Sequence, residues 1–151
     1  MQTVTVARLI ALLLAALASG VAFSHLLEVP GKRRLPTDVA VTVQQTLYVG
    51  YRLPSALIEL GAIVTCALAV AVGWNRSSCW LTLAALVTML GAMVVFGLVT
   101  DRQNRRMLSW LIGDLPDDWT RVRARWEASH GVRAVLFVSA VGLLALALHK
   151  G

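Results

Sequence analysis

The sequence predicts an all-α membrane protein, a four-transmembrane-helix bundle with a helical hairpin extension between helices three and four. Hydrophobic residues make up 58% of the 151 residues, against roughly 45–50% in an average soluble domain, and mean hydropathy is +0.71. These residues are gathered into four runs of about 20, the length that crosses about 30 Å of hydrocarbon. Composition and clustering together indicate a single integral membrane domain over residues 1–151.

The four predicted spans differ in their flanking residues. Span one has Arg8 ahead of an Ala- and Leu-rich core, the pattern of a signal peptide, and because the chain starts at Met1 we expect a retained transmembrane helix. Spans two and three are separated only by "WNRSS", a tight turn beginning with Trp74, an aromatic residue typical of a membrane interface. The predicted spans are 5–27, 51–73, 77–100 and 131–149.

The link between spans one and two contains residues that interrupt helices. Pro30, Gly31 and Pro36 predict that the chain leaves the helical conformation there. Thr37 or Asp38 then provides a side chain suited to capping another helix, which we expect to run into span two.

The link between spans three and four is predicted to form the helical hairpin. Gly113 is expected to end one helical stretch. Asp114 is expected to cap the next, with Pro116 and two acidic residues in its first turn. Spans three and four would therefore extend beyond the membrane.

Basic residues are distributed unequally between the two faces of such a bundle. The face after span one would carry 11 of the 14 lysines and arginines, and the other face would carry Arg8, Arg76 and Lys150. The positive-inside rule then predicts a bacterial inner-membrane protein with both termini outside the cytoplasm. The net charge of +6 is attributed to topology and to membrane lipids as partners, not to nucleic acid. Cys66 and Cys79 form no CxxC motif, which argues against a thiol–disulfide enzyme.

Polar side chains concentrate at the end of the bundle that follows span one. Two sets recur at spacings of three and four residues, and each set therefore lies on one helix face. If four helices converge with these faces inward, they form a polar pocket at this end, and the rest of the bundle interior is a dry bundle without polar groups. The residues are His25 and Glu28 in span one, Gln45, Tyr48, Arg52, Ser55 and Glu59 leading into span two, Asn104 after span three, and Trp126, His130 and Arg133 leading into span four.

Glu59 is the most informative of these residues. It lies about seven residues into span two, roughly 10 Å along the helix. A carboxylate at that depth costs several kcal/mol unless it faces the interior and has a partner, for which His25, His130, Arg52 and Arg133 are the candidates. A purely structural ion pair is the alternative interpretation.

Two kinds of chemistry are compatible with the pocket. A metal ion such as iron or copper would be held by His25, Glu59 and His130, although no motif requires a cofactor. Without a metal, Glu59 or a histidine would act as general base while neighbouring donors stabilise an oxyanion. The predicted catalytic residues are His25, Glu59, His130 and Arg133, and the predicted substrate-binding residues are Tyr48, Arg52, Asn104 and Trp126.

Four segments resemble a family of small four-helix membrane proteins that includes the fungal anthrone oxygenases. They are "FSHLLEVPGK", "QQTLYVGYRLPSALIEL", "DRQNRRMLSWL" and "DDWTRVRARWEASHGVRA", and together they cover all four helices. The resemblance implies oxygenation of an activated aromatic compound, an anthrone to an anthraquinone, with no obvious organic cofactor. It carries over to His25, Glu59, Asn104, Trp126, His130 and Arg133, and it favours His25 and Glu28 as pocket residues while Lys32, Arg33 and Arg34 anchor the chain.

Three functions remain open at this level. The first is a membrane oxidoreductase or oxygenase that acts on a hydrophobic aromatic or quinone-like small molecule. The second is a non-enzymatic accessory or assembly subunit of a larger membrane complex. The small size of the chain and the lack of a cofactor motif favour this function. The third is a transporter that uses Glu59 as a proton-coupled site. A homo-oligomer is compatible with each.

Overall fold

The computed structural model describes residues 2–151 and confirms the all-α fold. Four helices are long and apolar enough to cross a membrane, and the described chain contains no β-strand. Together, α3, the π-helical segment and α4 form one uninterrupted membrane helix. The elements are α1 (Gln2–Lys32), α2 (Thr37–Val72), α3 (Cys79–Val95), the π-helical segment (Phe96–Thr100), α4 (Asp101–Leu108) and α5 (Trp119–His149).

Each membrane helix is longer than its predicted span. The four contain 31, 36, 30 and 31 residues, or roughly 45–54 Å of helix against about 30 Å of hydrocarbon. The predicted break at Pro30 is wrong, because α1 continues through it to Lys32. A proline two residues from a helix end removes only one of the last backbone hydrogen bonds. The helix α2 likewise continues past a proline, Pro54, in its interior. The expected helix before span two does begin at Thr37, and it is continuous with the span.

The helices alternate in direction along the chain. Arg8, near the start of α1, donates hydrogen bonds to Ser78 Oγ (3.0 Å) and to the carbonyl oxygen of Ala147 (2.9 Å). These contacts bring the start of α1, the start of α3 and the end of α5 together at one end of the bundle, which we call end A. The opposite end is end B. α1 packs between α2 and α5, while α3 packs mainly on α5 and less closely on α2.

Small side chains allow α1 to approach its neighbours closely. Ala11, Ala15 and Ala18 recur every three to four residues and are buried against α5 residues that include Phe137 and Leu144. Residues at this spacing share one helix face. The cluster contains residues of all four membrane helices, including Cys66 on α2 and Met89 on α3.

Arg8 corrects the charge count used for topology. Its side chain is only 1% exposed, and its two hydrogen bonds go to neutral groups on α5 and at the start of α3. Within residues 2–151, its Nε and Nη2 atoms have no hydrogen-bond partner. Arg8 is therefore a buried residue that joins three helices at end A, and it does not contribute a surface charge to that face.

The hairpin between the third and fourth membrane helices differs in detail from its prediction. α4 ends at Leu108, and Gly113 lies in the following loop with a φ of 90°. Asp114 does not cap a helix but forms an antiparallel bridge with Leu111, and α5 begins only at Trp119. The predictions for Gly113 and Asp114 as helix boundaries are therefore wrong, although the two long helices do project as a hairpin.

Contacts at end B hold this hairpin against α2. The side-chain amide of Gln45 donates to the carbonyl oxygens of Met107 (3.1 Å) and Trp110 (2.8 Å), where α4 ends. Carbonyl groups at a helix end lack partners within the helix, so an amide donor there stabilises the end. A second buried cluster fills the space between α2, α4 and α5, and it consists of Val41, Met107, Trp110, Val122 and Trp126.

The π-helical segment was not predicted from the sequence. It spans Phe96–Thr100 in the second half of the third membrane helix. A π-helical turn inserts one extra residue and changes which side chains face inward, and such turns are frequent at functional sites. Here Thr100 donates a hydrogen bond to Ser129 Oγ on α5 (2.9 Å), which fixes the segment against the bundle.

Candidate functional site

A cavity of about 520 Å³ lies at end B of the bundle. Cavities of ~300–1,000 Å³ are the usual size for sites that bind small organic molecules. All four membrane helices contribute to its wall. The predicted site residues that line it are His25, Tyr48, Arg52, Ser55, Glu59, Asn104, Trp126, His130 and Arg133.

Glu59 and Arg133 form a buried ion pair at the wall of this cavity. Arg133 Nη2 donates to Glu59 Oε1, and the two residues are only 5% and 4% exposed. The prediction that Glu59 faces the interior with a basic partner is therefore confirmed. The guanidinium of Arg133 also lies over the Phe96 ring, 5.0 Å from its centroid, an arrangement that stabilises a cation. The pair fixes the position of Arg133 beside the cavity.

His25 and His130 lie in contact with each other on the same wall. Their ring centroids are 4.2 Å apart. Trp126 packs edge-on against both rings, at 5.1 Å from His25 and 4.5 Å from His130. Both imidazoles are buried, and within the described chain their Nδ1 atoms have no hydrogen-bond partner. The structure thus brings together two histidines that are 105 residues apart in the sequence.

Asn104 and Tyr48 line the cavity but are engaged in hydrogen bonds. Trp126 Nε1 donates to Asn104 Oδ1 (2.6 Å), which leaves the amide nitrogen of Asn104 as its remaining donor. The hydroxyl of Tyr48 donates to Glu28 Oε2 (2.6 Å). Tyr48 therefore presents its ring to the cavity, since its proton is directed away from it.

A charged cluster behind the aromatic wall was only partly predicted. Glu28 does not line the cavity; it accepts a hydrogen bond from Tyr48 and forms an ion pair with Lys32 Nζ (2.7 Å), and its carboxylate lies 3.7 Å from His25 Nδ1. The ammonium group of Lys32 lies over the rings of Tyr48 (4.2 Å) and Trp126 (5.0 Å). The prediction of Lys32 as a membrane anchor is wrong, because this side chain is only 12% exposed and holds α1 against α2 and α5.

Arg33 likewise does not act as a simple anchor. Its guanidinium pairs with Glu127 Oε2 at 2.9 Å, and Glu127 also accepts from Arg123 at 3.1 Å. Of the three predicted anchors, Arg34 alone is exposed with no ion pair among the described residues. The residue that follows α1 is therefore joined to α5 by an ion pair.

Several cavity residues were missed by sequence analysis. Tyr51, Phe96 and Thr100 line the cavity, while Gln45, predicted on the same helix face as Glu59, instead contacts the end of α4. Phe96 and Thr100 precede Asn104 at intervals of four residues, so the same spacing rule that selected the other residues could have found them. Tyr51 was available as a signal, because it is an aromatic residue three positions after Tyr48.

The described residues do not offer a cluster of metal ligands. Within residues 2–151 there is no group of three or more His, Cys, Asp or Glu side chains placed to hold an ion. Of the three predicted ligands, Glu59 is occupied by Arg133, and the two histidines face each other at ring-contact distance. A site for iron, copper or zinc normally supplies at least three protein ligands, so this arrangement does not fit such an ion.

The arrangement supports proton transfer and charge stabilisation next to an apolar compartment. Imidazole is the usual general base of proteins, and a fixed guanidinium stabilises an oxyanion. The rings of Tyr48, Tyr51, Phe96 and Trp126 also line the cavity, and aromatic side chains of this kind suit a flat hydrophobic molecule. Comparisons of the chain with protein-family models, with curated proteins and with solved structures find no match.

Proposed function

We propose that this protein is a membrane-embedded oxygenase that acts on a hydrophobic aromatic molecule in the cavity at end B. The observation that carries the proposal is the wall of the cavity, where two imidazoles and an arginine are buried beside aromatic rings. Buried ionisable groups in a cleft are expensive, and they cluster where chemistry requires them. The resemblance to anthrone oxygenases agrees with this assignment and supplies the substrate class, an anthrone-like aromatic ketone.

His130 is assigned as the general base and Arg133 as the oxyanion partner. The two residues are three positions apart on α5, so they lie side by side on the same helix face. A substrate oxygen beside Arg133 would thus place an adjacent acidic C–H or O–H near the imidazole of His130. Glu59 is assigned a positioning role, because its carboxylate is bonded to Arg133. His25 packs against His130, and Trp126 forms part of the apolar wall.

The proposed reaction consumes one O₂ and needs no metal. His130 accepts a proton from the ring-flanked methylene, and the resulting carbanion, stabilised as its enolate oxygen by Arg133, gives its electron pair to O₂. A C–O bond forms and the peroxide takes the proton back. Loss of the second C–H proton then breaks the O–O bond, so that a ketone and one water leave. Carbon is oxidised by four electrons and O₂ is reduced by four.

The first prediction is that the purified protein in liposomes oxidises a hydroxyanthrone with a stoichiometry of one O₂ per ketone formed. Because the new oxygen comes from O₂, the product made under ¹⁸O₂ should carry one heavy oxygen atom. Oxygen uptake and mass spectrometry of the product measure the two quantities. Liposomes without protein give the rate of autoxidation, which must be subtracted.

The alternative, an accessory subunit of a larger complex, makes the opposite expectation. Such a protein would show oxygen uptake equal to that of empty liposomes with every hydroxyanthrone or quinol tested. It would also be recovered from mild detergent together with other membrane proteins. That pair of results would replace the oxygenase proposal by the accessory one.

We also infer that end B faces the cytoplasm of a bacterial cell. Apart from the buried Arg8 and Arg133, 10 basic residues lie at end B and only Arg76 and Lys150 lie at end A. The positive-inside rule places the richer end in the cytoplasm.

The second prediction follows from this orientation. A cysteine placed at the exposed Ser77 of end A should react with a membrane-impermeant maleimide added outside intact cells, whereas one at the exposed Ser109 of end B should react only after lysis. The native Cys66 and Cys79 are buried and should stay unlabelled. The reverse labelling pattern would invert the topology.

A further inference from the structure

The lining of the cavity at end B includes apolar residues that are also exposed on the outside of the bundle. They include Val49 and Leu60 on α2 and Leu108 on α4. α2 packs closely on α1 but much less on the third membrane helix. The apolar lining of the cavity therefore continues onto the outer surface of α2 and α4.

The charges that line the cavity do not cancel. Glu59 is paired with Arg133, and Asp101 is paired with Arg105 at 2.9 Å. Arg52 remains: it is an exposed cavity-lining residue, and no group of the described chain hydrogen-bonds or ion-pairs with it. The lining thus carries one surplus positive charge, which resides on an unpaired guanidinium.

Arg52 lies on the same face of α2 as Glu59, two helical turns nearer to the start of the helix. It is consequently on the outer part of the cavity, away from the buried Glu59–Arg133 pair. A free guanidinium matches a carboxylate or phenolate by geometry as well as by charge. A rim of this kind above an apolar compartment is complementary to a molecule with a flat hydrophobic body and one anionic oxygen group.

We propose that the cavity selects hydrophobic aromatic acids, and that Arg52 is the residue that binds their anionic group. This inference rests on the proposed function, since it specifies the substrate of the same site. The two proposals can be tested separately, because binding through Arg52 does not depend on turnover by His130. Arg52 thereby acts as a specificity residue and Arg133 remains the partner of the reacting oxygen.

The third prediction tests binding with anthracene-9-carboxylate and its neutral carboxamide. Energy transfer from protein tryptophans to the anthracene reports binding in nanodiscs of zwitterionic lipid. The wild-type protein should bind the acid roughly 10- to 100-fold more tightly than the amide, the range expected for one hydrogen-bonded charge pair. Arg52→Gln should abolish this preference and leave the affinity for the amide unchanged. Arg102→Gln, which removes an exposed arginine outside the cavity, should retain the preference.

Two results would overturn the inference. One is an acid-to-amide ratio that is the same in the wild type and in Arg52→Gln. The other is a lipid headgroup as the real partner of Arg52: nanodiscs of anionic lipid would then abolish the acid preference of the wild type while leaving Arg52→Gln unaffected. If Arg52-dependent binding is found but no O₂ is consumed, the oxygenase proposal fails and this inference stands.

Discussion

Replacing Glu59 with leucine should destabilise the protein by about 3–5 kcal/mol, the cost of leaving one partner of a buried ion pair alone. Arg133 would then be a buried guanidinium whose only other described stabilising contact is the Phe96 ring. A single cation–π contact contributes ~0.5–2 kcal/mol and cannot replace the carboxylate. Thermal and denaturant unfolding in detergent micelles measure the loss.

The double variant Glu59→Leu/Arg133→Met provides the decisive comparison. Replacing both members of a buried pair by apolar residues is often neutral or stabilising, because both desolvation costs disappear together. We therefore expect the double variant to be more stable than Glu59→Leu alone, although it should be inactive because the oxyanion partner is gone. A double variant as unstable as the single one would show that Glu59 has another essential contact.

An exposed ion pair supplies the matched control for this experiment. Arg106 and Asp118 form a two-point contact at 2.9–3.0 Å at end B, with both side chains about two-fifths exposed. Surface pairs contribute ~0–1 kcal/mol, so Asp118→Asn should change stability far less than Glu59→Leu. Equal effects of the two substitutions would contradict the burial that distinguishes the pairs.

The membrane helices were predictable because their signal is additive along the chain. Each rests on some 20 apolar residues, so errors at single positions such as Pro30 move a boundary without removing a helix. The contact between Glu59 and a basic residue was predictable for a related reason. A carboxylate at that depth is stable only where it faces the interior and has a partner. Arg133 is that partner, and it was one of the candidates that the sequence offered.

The fine structure of the site was not predictable, because it depends on long-range packing. No local pattern indicates the π-helical segment Phe96–Thr100, which adds one residue to a helical turn. Lys32 belongs to a basic run that is typical of membrane anchors. Its burial depends on the rings of Tyr48 on α2 and Trp126 on α5, which its ammonium group contacts. The burial of Arg8 at end A was not predicted for the same reason, because it depends on contacts with distant parts of the chain.

The burial of His130 changes how its role must be tested. The sequence places it near the start of span four, where removal of an imidazole would cost on the order of 1 kcal/mol. In the structure it is only 6% exposed and packs on both His25 and Trp126. Truncation to alanine would leave a hole beside two rings and would confuse a folding defect with a catalytic one. Glutamine keeps most of the volume and is the better substitution.

His130→Gln should lower turnover of a hydroxyanthrone by about 10²-fold or more, because a general base contributes ~10²–10⁴-fold and an amide cannot accept the proton. Unfolding should show a stability loss of only about 1–2 kcal/mol, and binding of anthracene-9-carboxamide should be retained. His149→Gln, at the exposed end of α5, is the matched control and should keep full activity. If His130→Gln turns over at the wild-type rate per folded molecule, His130 is not the base, and the same assay of His25→Gln then decides whether the neighbouring imidazole performs that role.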